Sequence, residues 1–173
     1  MEKAKDKRYT VVGWVLFVLS LVINAFIIYQ SCLNGDASTS SSGAISDFIK
    51  NILNGIFPNL INEGNIGAYH AFIRKFVGHF SLFLVDGLIT SWSLYYLLEL
   101  TKLKKWWIKI IVSASFGLFM AILTECIQLS IPGRAGSPID ILIDYAGYVI
   151  GLGIIVLIYF LIYRHHKKKA VLQ

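Results

Sequence analysis

Charge is scarce in this sequence. Only 15% of its 173 residues are Asp, Glu, Lys or Arg, whereas 56% are hydrophobic; typical globular chains carry roughly 25% charged residues. That shortage excludes a water-soluble fold, because too little polar surface remains to cover a core. Cysteine is also rare, and Cys32 and Cys126 form neither a disulfide framework nor a metal-ligand pattern. Cys126, inside an apolar run, reads as a small buried residue. There is no obvious internal repeat and no large soluble domain. The G-x-S-x-G elbow is missing, which leaves Ser81, Ser130 and Ser137 as nucleophile candidates by proximity alone. H-E-x-x-H is missing as well. With one histidine in the membrane region, neither a metal site nor a cofactor is expected.

What the chain has in abundance is long apolar runs. Val11–Tyr29, Phe76–Leu98, Ile108–Ile131 and Ile139–Tyr163 each come near or above the ~18–20 residues that cross a bilayer. The expected fold is an all-α integral membrane protein, a single domain over 1–173. Its four transmembrane helices are expected at about 11–29, 76–98, 108–131 and 139–163. The first run is too long for a signal-peptide core, and no convincing small-residue cleavage site follows it.

The net charge of +6 does not point to nucleic acid, because its placement follows the spans. Lys3, Lys5, Lys7 and Arg8 precede the first span. Lys102, Lys104, Lys105 and Lys109 lie between the second and third, and Arg164, Lys167, Lys168 and Lys169 follow the fourth. The positive-inside rule puts these groups, and therefore both termini, in the cytoplasm. They read as topology signals and anionic-lipid contacts, and His165 and His166 belong to the basic tail. The loops at 31–75 and 131–139 then face outward.

The outer loop opens with NGDASTSSSG (34–43), a composition expected of a flexible linker. In AISDFIKNILNGIFPNLIN (44–62), apolar residues recur from Ile45 through Ile61 in steps of three and one, as on one face of a helix. The segment 45–62 is expected to be an amphipathic helix lying in the outer interface, ended or kinked by Pro58. It could serve as a lid or simply pack on the end of the bundle.

Polar residues concentrate around one bend. Glu125 and Gln128 share a helical face, while Asp140, Asp144, Gly147 and Gly151 form a second stripe spaced 4, 3 and 4. Lys75 and His79, four apart, open the second span. A hairpin centred near residue 135 brings Glu125 level with Asp144. At ~1.5 Å rise per residue, His79, Glu125 and Asp144 lie roughly 5–10 Å below the outer ends of their spans. Arg134 is expected just above them and Asp140 at the rim. An Asp at a helix centre costs about 2.5–3.5 kcal/mol on insertion scales. The acids are therefore expected to face the bundle interior or a water-filled cavity, paired with Arg134 or Lys75. Gly147 and Gly151 would let a neighbouring helix approach.

Three uses of this cluster stay open beside that of structural glue. It could bind a ligand, with Lys75, Gln128, Arg134 and Asp140 as the binding groups. It could be catalytic, with Glu125, Asp144 and His79 doing acid–base work while Arg134 holds an anion. It could also begin a proton or ion path through Asp86, which lies seven residues below His79. That last use is the weakest, because the sequence shows no comparable polar trail toward the cytoplasmic side.

These residues carry a family resemblance. E-x-x-Q at Glu125 and Gln128, then Pro132-Gly133-Arg134, then D-x-x-x-(N/D)-x-x-G-x-x-x-G from Asp140 to Gly151, resembles the signature of the VanZ-like membrane proteins. Lys75, His79 and Phe80 match the family's upstream K-x-x-x-H-F element. Asp144 stands where asparagine is usual and adds a carboxyl group. The resemblance implies a multi-pass protein of the bacterial plasma membrane. It also implies lowered susceptibility to teicoplanin-type lipoglycopeptides in a Gram-positive envelope. The expected function joins the two lines: an outer-leaflet polar pocket that binds or alters a lipidic, headgroup-bearing molecule. Its partners would be membrane lipids and a lipoglycopeptide or a cell-wall lipid precursor, with no nucleic acid. The alternative is a membrane-embedded acid–base enzyme acting on a cell-envelope lipid unrelated to antibiotics.

Overall fold

The computed structural model describes residues 2–101, 105–134 and 136–171. Six α-helices succeed one another: α1 (Glu2–Cys32), α2 (Gly35–Ile56), α3 (Ile66–Phe72), α4 (Ser81–Glu99), α5 (Trp106–Leu129) and α6 (Pro138–Val171). A π-helical segment, Ile73–Phe80, joins α3 to α4. There is no strand among the described residues. Four stretches are long and apolar enough to cross a membrane: Thr10–Cys32, Ile66–Glu99, Trp106–Leu129 and Pro138–His165. The second begins ten residues before the apolar run at Phe76, because α3, the π segment and α4 form one unbroken helical path.

The burial pattern is that of a lipid-solvated bundle. Large aliphatic and aromatic side chains such as Val22, Phe119, Leu142 and Leu157 lie exposed on the flanks of the long helices. The interior holds Ile27, Phe83, Met120, Ala121 and Tyr148, together with Ser20, Asn24, Asp86, Thr90, Ser113 and Glu125. A hydrocarbon solvent offers no hydrogen bonds, so polar side chains gain by turning inward. Cys126, expected inside, is exposed on the apolar flank. Its neighbours Glu125 and Gln128 take the inward face of α5 instead.

α4 packs against α1, α5 and α6, and α6 packs against α4 and α5. Small residues set the spacing. A Cβ on Gly147 or Gly151 would collide with the backbone carbonyl of Phe80 or Leu84, and one on Gly87 with the backbone of Tyr148. One end of the bundle carries the α5–α6 hairpin and is here called the hairpin end. The other, where α4 meets α5, is called the tail end.

At the hairpin end, α2 differs from expectation. It starts at Gly35, so the serine-rich 35–43 stretch continues a helix rather than serving as a linker. It stops at Ile56, because Pro58 restricts the residue before it. The following turn is held by Asn54, whose Nδ2 donates to the Ile61 carbonyl at 2.9 Å while its Oδ1 accepts from Ile61 N–H at 2.9 Å. Asn59 takes a positive φ of 63° there. Phe48, Ile52, Ile56, Phe57 and Leu60 all remain exposed. Buried Ser46 is tied to α3 by His70 Nδ1 at 2.8 Å and by Tyr69 Oη, which donates to its carbonyl at 2.6 Å.

Candidate functional site

Three elements converge at the hairpin end. α6 begins where Ser137 serves as N-cap, its Oγ accepting from Ile139 N–H at 3.2 Å. Pro138 follows at the first helical position, where its missing N–H costs nothing. Asp140 occupies the first turn, favoured there by the helix dipole. The Ser137 N–H is itself taken by Glu125 Oε1. One carboxylate of α5 thus latches the start of α6. The π segment supplies Lys75 and His79, and such i→i+5 geometry often occurs at functional sites. Ser81 Oγ donates to the Phe76 carbonyl, five residues back, at 2.9 Å.

The sequence pairs meet as two rungs. Lys75 Nζ lies 2.5 Å from Asp140 Oδ1. One turn deeper, His79 Nδ1 lies 3.3 Å from each oxygen of Asp144, which is wholly buried. This contact engages Nδ1 and leaves Nε2 as the second proton position of the ring. Glu125 stands within electrostatic reach of Asp140, Asp144 and His79. Three carboxyl groups therefore share one small region with Lys75 and His79.

The polar inventory of that region is incomplete. Glu125 and Gln128 are each 3% exposed. Yet Glu125 Oε2 and Gln128 Nε2 have no hydrogen-bond partner among the described residues, and Asp144 Oδ1 has only its 3.3 Å ion-pair contact with His79 Nδ1. Leaving a buried polar atom unsatisfied costs about 1–3 kcal/mol. One acceptor, Glu125 Oε2, and one donor, Gln128 Nε2, therefore remain for a third party beside the loosely held Asp144 Oδ1. A headgroup bearing both hydroxyl and carbonyl or phosphate oxygens has the complementary set.

Of the two cations expected to pair with the acids, Lys75 does so and Arg134 takes another role. It does not pair with the acids. Its Nη1 donates to the backbone carbonyls of Gln30 at 3.2 Å and Leu33 at 3.3 Å, tying the hairpin to the end of α1. A cation suits that helix C-terminus. Burial, followed by the nearby Arg74, lowers the Arg134 pKa from the usual guanidinium value. The group nonetheless keeps its charge. Glu125 and Asp140 remain within its electrostatic reach. Arg74, which the sequence reading passed over, adds a second guanidinium to this end.

The bundle interior surrounds Asp86, named from the sequence, with polar groups that the sequence reading missed. Asp86 is wholly buried. Its Oδ1 accepts from Thr90 Oγ1 at 2.6 Å and from Asn24 Nδ2 at 2.8 Å. Ser20 joins the cluster through Thr90 at 2.6 Å. Beyond it, Ser91 meets Ser113 at 2.7 Å, and Ser113 meets Tyr148 Oη at 3.1 Å. The tail end closes with Lys109 paired to Glu99. Polar groups thus do extend toward the tail end, contrary to the expectation of no such trail. Lys109 is a buried partner of Glu99 rather than a surface contact. The spacings Ser20–Asn24 and Asp86–Thr90, each one helical turn within an apolar run, were the available signal.

The family model described as VanZ/LLP1 matches residues 14–161, a range that contains every one of these site residues. No curated protein and no solved structure matches the chain.

Proposed function

Because the chain belongs to the VanZ/LLP1 family, we propose that its hairpin-end pocket faces outward from the bacterial plasma membrane. There it binds or alters a lipidic, headgroup-bearing molecule, and so lowers susceptibility to teicoplanin-type lipoglycopeptides. The orientation rests on the basic residues in the first turns of α1, around the α4–α5 connection and in the last turns of α6. The observation that carries the binding role is the unsatisfied pair Glu125 Oε2 and Gln128 Nε2 beside the buried Asp144. The exposed apolar residues Phe48, Ile52 and Ile56 of α2 support a lipidic partner, since such a face settles in the interface beside the pocket. The acyl chain of a teicoplanin-type antibiotic anchors at that same surface.

The test is expression in a susceptible Gram-positive host, with teicoplanin and vancomycin compared at matched protein levels. Wild type raises resistance to teicoplanin more than to vancomycin. Glu125→Gln keeps an oxygen for the Ser137 N–H but removes the charge and changes what Oε2 offers. It returns teicoplanin resistance to the empty-vector level while the protein stays folded in the membrane. Equal changes for both antibiotics would falsify the reading.

A second reading has its own support. His79, engaged through Nδ1 by Asp144, is within electrostatic reach of Glu125, whose Oε2 is unsatisfied, so a base and an acid share this end of the bundle. The protein would then be an enzyme acting on a cell-envelope lipid. Purified protein incubated with envelope lipids yields a changed lipid mass under this reading, and His79→Asn abolishes it. Unchanged lipids with folded protein would remove this reading and leave the binding role.

A further inference from the structure

At the tail end, α4, α5 and α6 enclose a crevice of about 620 Å³, within the roughly 300–1,000 Å³ of small-molecule sites. One wall follows α6 from Leu152 to Tyr163. Those eleven helical steps span roughly 16 Å at ~1.5 Å per residue. Half of a ~30 Å hydrocarbon core is about 15 Å. The crevice is therefore one leaflet deep.

Its chemistry changes along that depth. The inner part is walled mainly by Leu152, Ile155 and Val156. Trp106 and Tyr163 stand at the mouth, exposed, where aromatic side chains mark a membrane interface. Lys109 is the one charged residue in the lining among the described residues. It is only 6% exposed, sits 3.9 Å from the centroid of the Tyr95 ring and pairs with Glu99, which is 44% exposed. Lys105 immediately precedes Trp106, and the Arg164 guanidinium lies 5.6 Å from the Phe160 ring centroid. An apolar slot of one leaflet's depth, with cations gathered at its open end, matches an amphiphile that carries an anionic head.

We infer that this crevice is a binding site for an anionic phospholipid of the tail-end leaflet. One acyl chain stands upright between α4, α5 and α6, and the phosphate displaces Glu99 from Lys109. The site lies at the opposite end of the bundle from the hairpin-end pocket and uses none of its residues.

Native mass spectrometry of the full chain, released from bilayer discs holding equal phosphatidylglycerol and phosphatidylcholine, tests the site. Wild type retains phosphatidylglycerol in preference to phosphatidylcholine. Lys109→Met cuts that preference by about five- to tenfold, the loss expected for one lipid–cation contact. Glu99→Gln raises it, because the competing carboxylate is gone. Val156→Trp fills the slot and lowers retention of both lipids. Circular dichroism confirms that each variant keeps its helices. Equal retention of the two lipids by wild type overturns the inference, as does retention unchanged by Val156→Trp. A loss of preference in Glu99→Gln matching that in Lys109→Met would mean that the ion pair acts only on the fold. Chain dimers that Val156→Trp separates would assign the crevice to a second copy and overturn the lipid.

Discussion

The rung between Lys75 and Asp140 shows what a single residue does at the hairpin end. Lys75 is the cation whose ammonium touches a carboxylate of the cluster, at 2.5 Å, and its side chain is partly exposed whereas Asp140 is nearly buried. Two further acids stand close to Asp140, as Glu125 and Asp144 both interact with it electrostatically. Removing the lysine alone leaves three carboxyl groups together without that cation. Breaking a fully buried pair costs about 3–5 kcal/mol, and the partial solvation of Lys75 reduces this to about 1–3 kcal/mol. Lys75→Met is therefore expected to lower stability by that amount in denaturant unfolding from mixed micelles. The double variant Lys75→Met/Asp140→Asn recovers most of the loss, and the cycle yields a coupling of about 1 kcal/mol or more. Additive effects would mean that the rung contributes nothing beyond its separate side chains. Arg134 belongs at the same scale with a different task. Arg134→Ala frees the carbonyls of Gln30 and Leu33, so its effect appears as looser attachment of α1 at the hairpin end.

Among the elements, α6 depends on how closely it can approach α4. Gly147 and Gly151 face backbone carbonyls of the π segment and α4, and Gly117 of α5 faces the Tyr148 ring. Alanine at Gly147 or Gly151 is expected to destabilise the bundle by about 1–3 kcal/mol through overpacking. Gly153 provides the control, because a Cβ there meets nothing within 4 Å. Gly153→Ala should instead gain ~0.5–1 kcal/mol from the helix backbone. Thermal unfolding of the three variants in one detergent separates the cases, and equal shifts would defeat the packing argument. α2 poses the other question at this scale. Asp47 and Ile52 are both exposed in the isolated chain, yet they differ in what they are expected to meet. With fluorescent labels at each position and a lipid-borne quencher, the label at Ile52 should be quenched and the one at Asp47 spared. Similar quenching at both would show that α2 does not lie in the interface with its apolar side down.

For the molecule as a whole, much of the architecture was legible because the solvent simplifies the reading. In hydrocarbon a spanning backbone must satisfy its own hydrogen bonds, and an apolar run as long as Ile108–Ile131 does so as a helix, so such runs locate helices without any pairing problem. The polar rungs were legible through the same logic. Asp140, Asp144, Glu125 and His79 had to turn inward, hairpin symmetry placed Glu125 level with Asp144, and the rise per residue left Asp140 a turn nearer the rim. Partner choice was less accessible. Whether Arg134 meets an acid or a carbonyl depends on where the end of α1 falls, and no helical periodicity fixes that. Periodicity also could not reveal the π segment, since a changed hydrogen-bond register leaves composition untouched. The serine-rich 35–43 stretch misled for a related reason: its composition suits a linker, whereas it continues into the helix held by Ser46 and Tyr69. Orientation in the membrane is a property of the whole chain and is read from charge asymmetry. Replacing Cys32 and Cys126 by Ala and introducing single cysteines at Asn59 or Arg164 tests it. An impermeant maleimide should label position 59 in intact cells and position 164 only after permeabilisation. The opposite pattern would turn the polar cluster of Glu125, His79 and Asp144 toward the cytoplasm, where an acyl-anchored antibiotic does not reach, and would remove the basis of the proposed function.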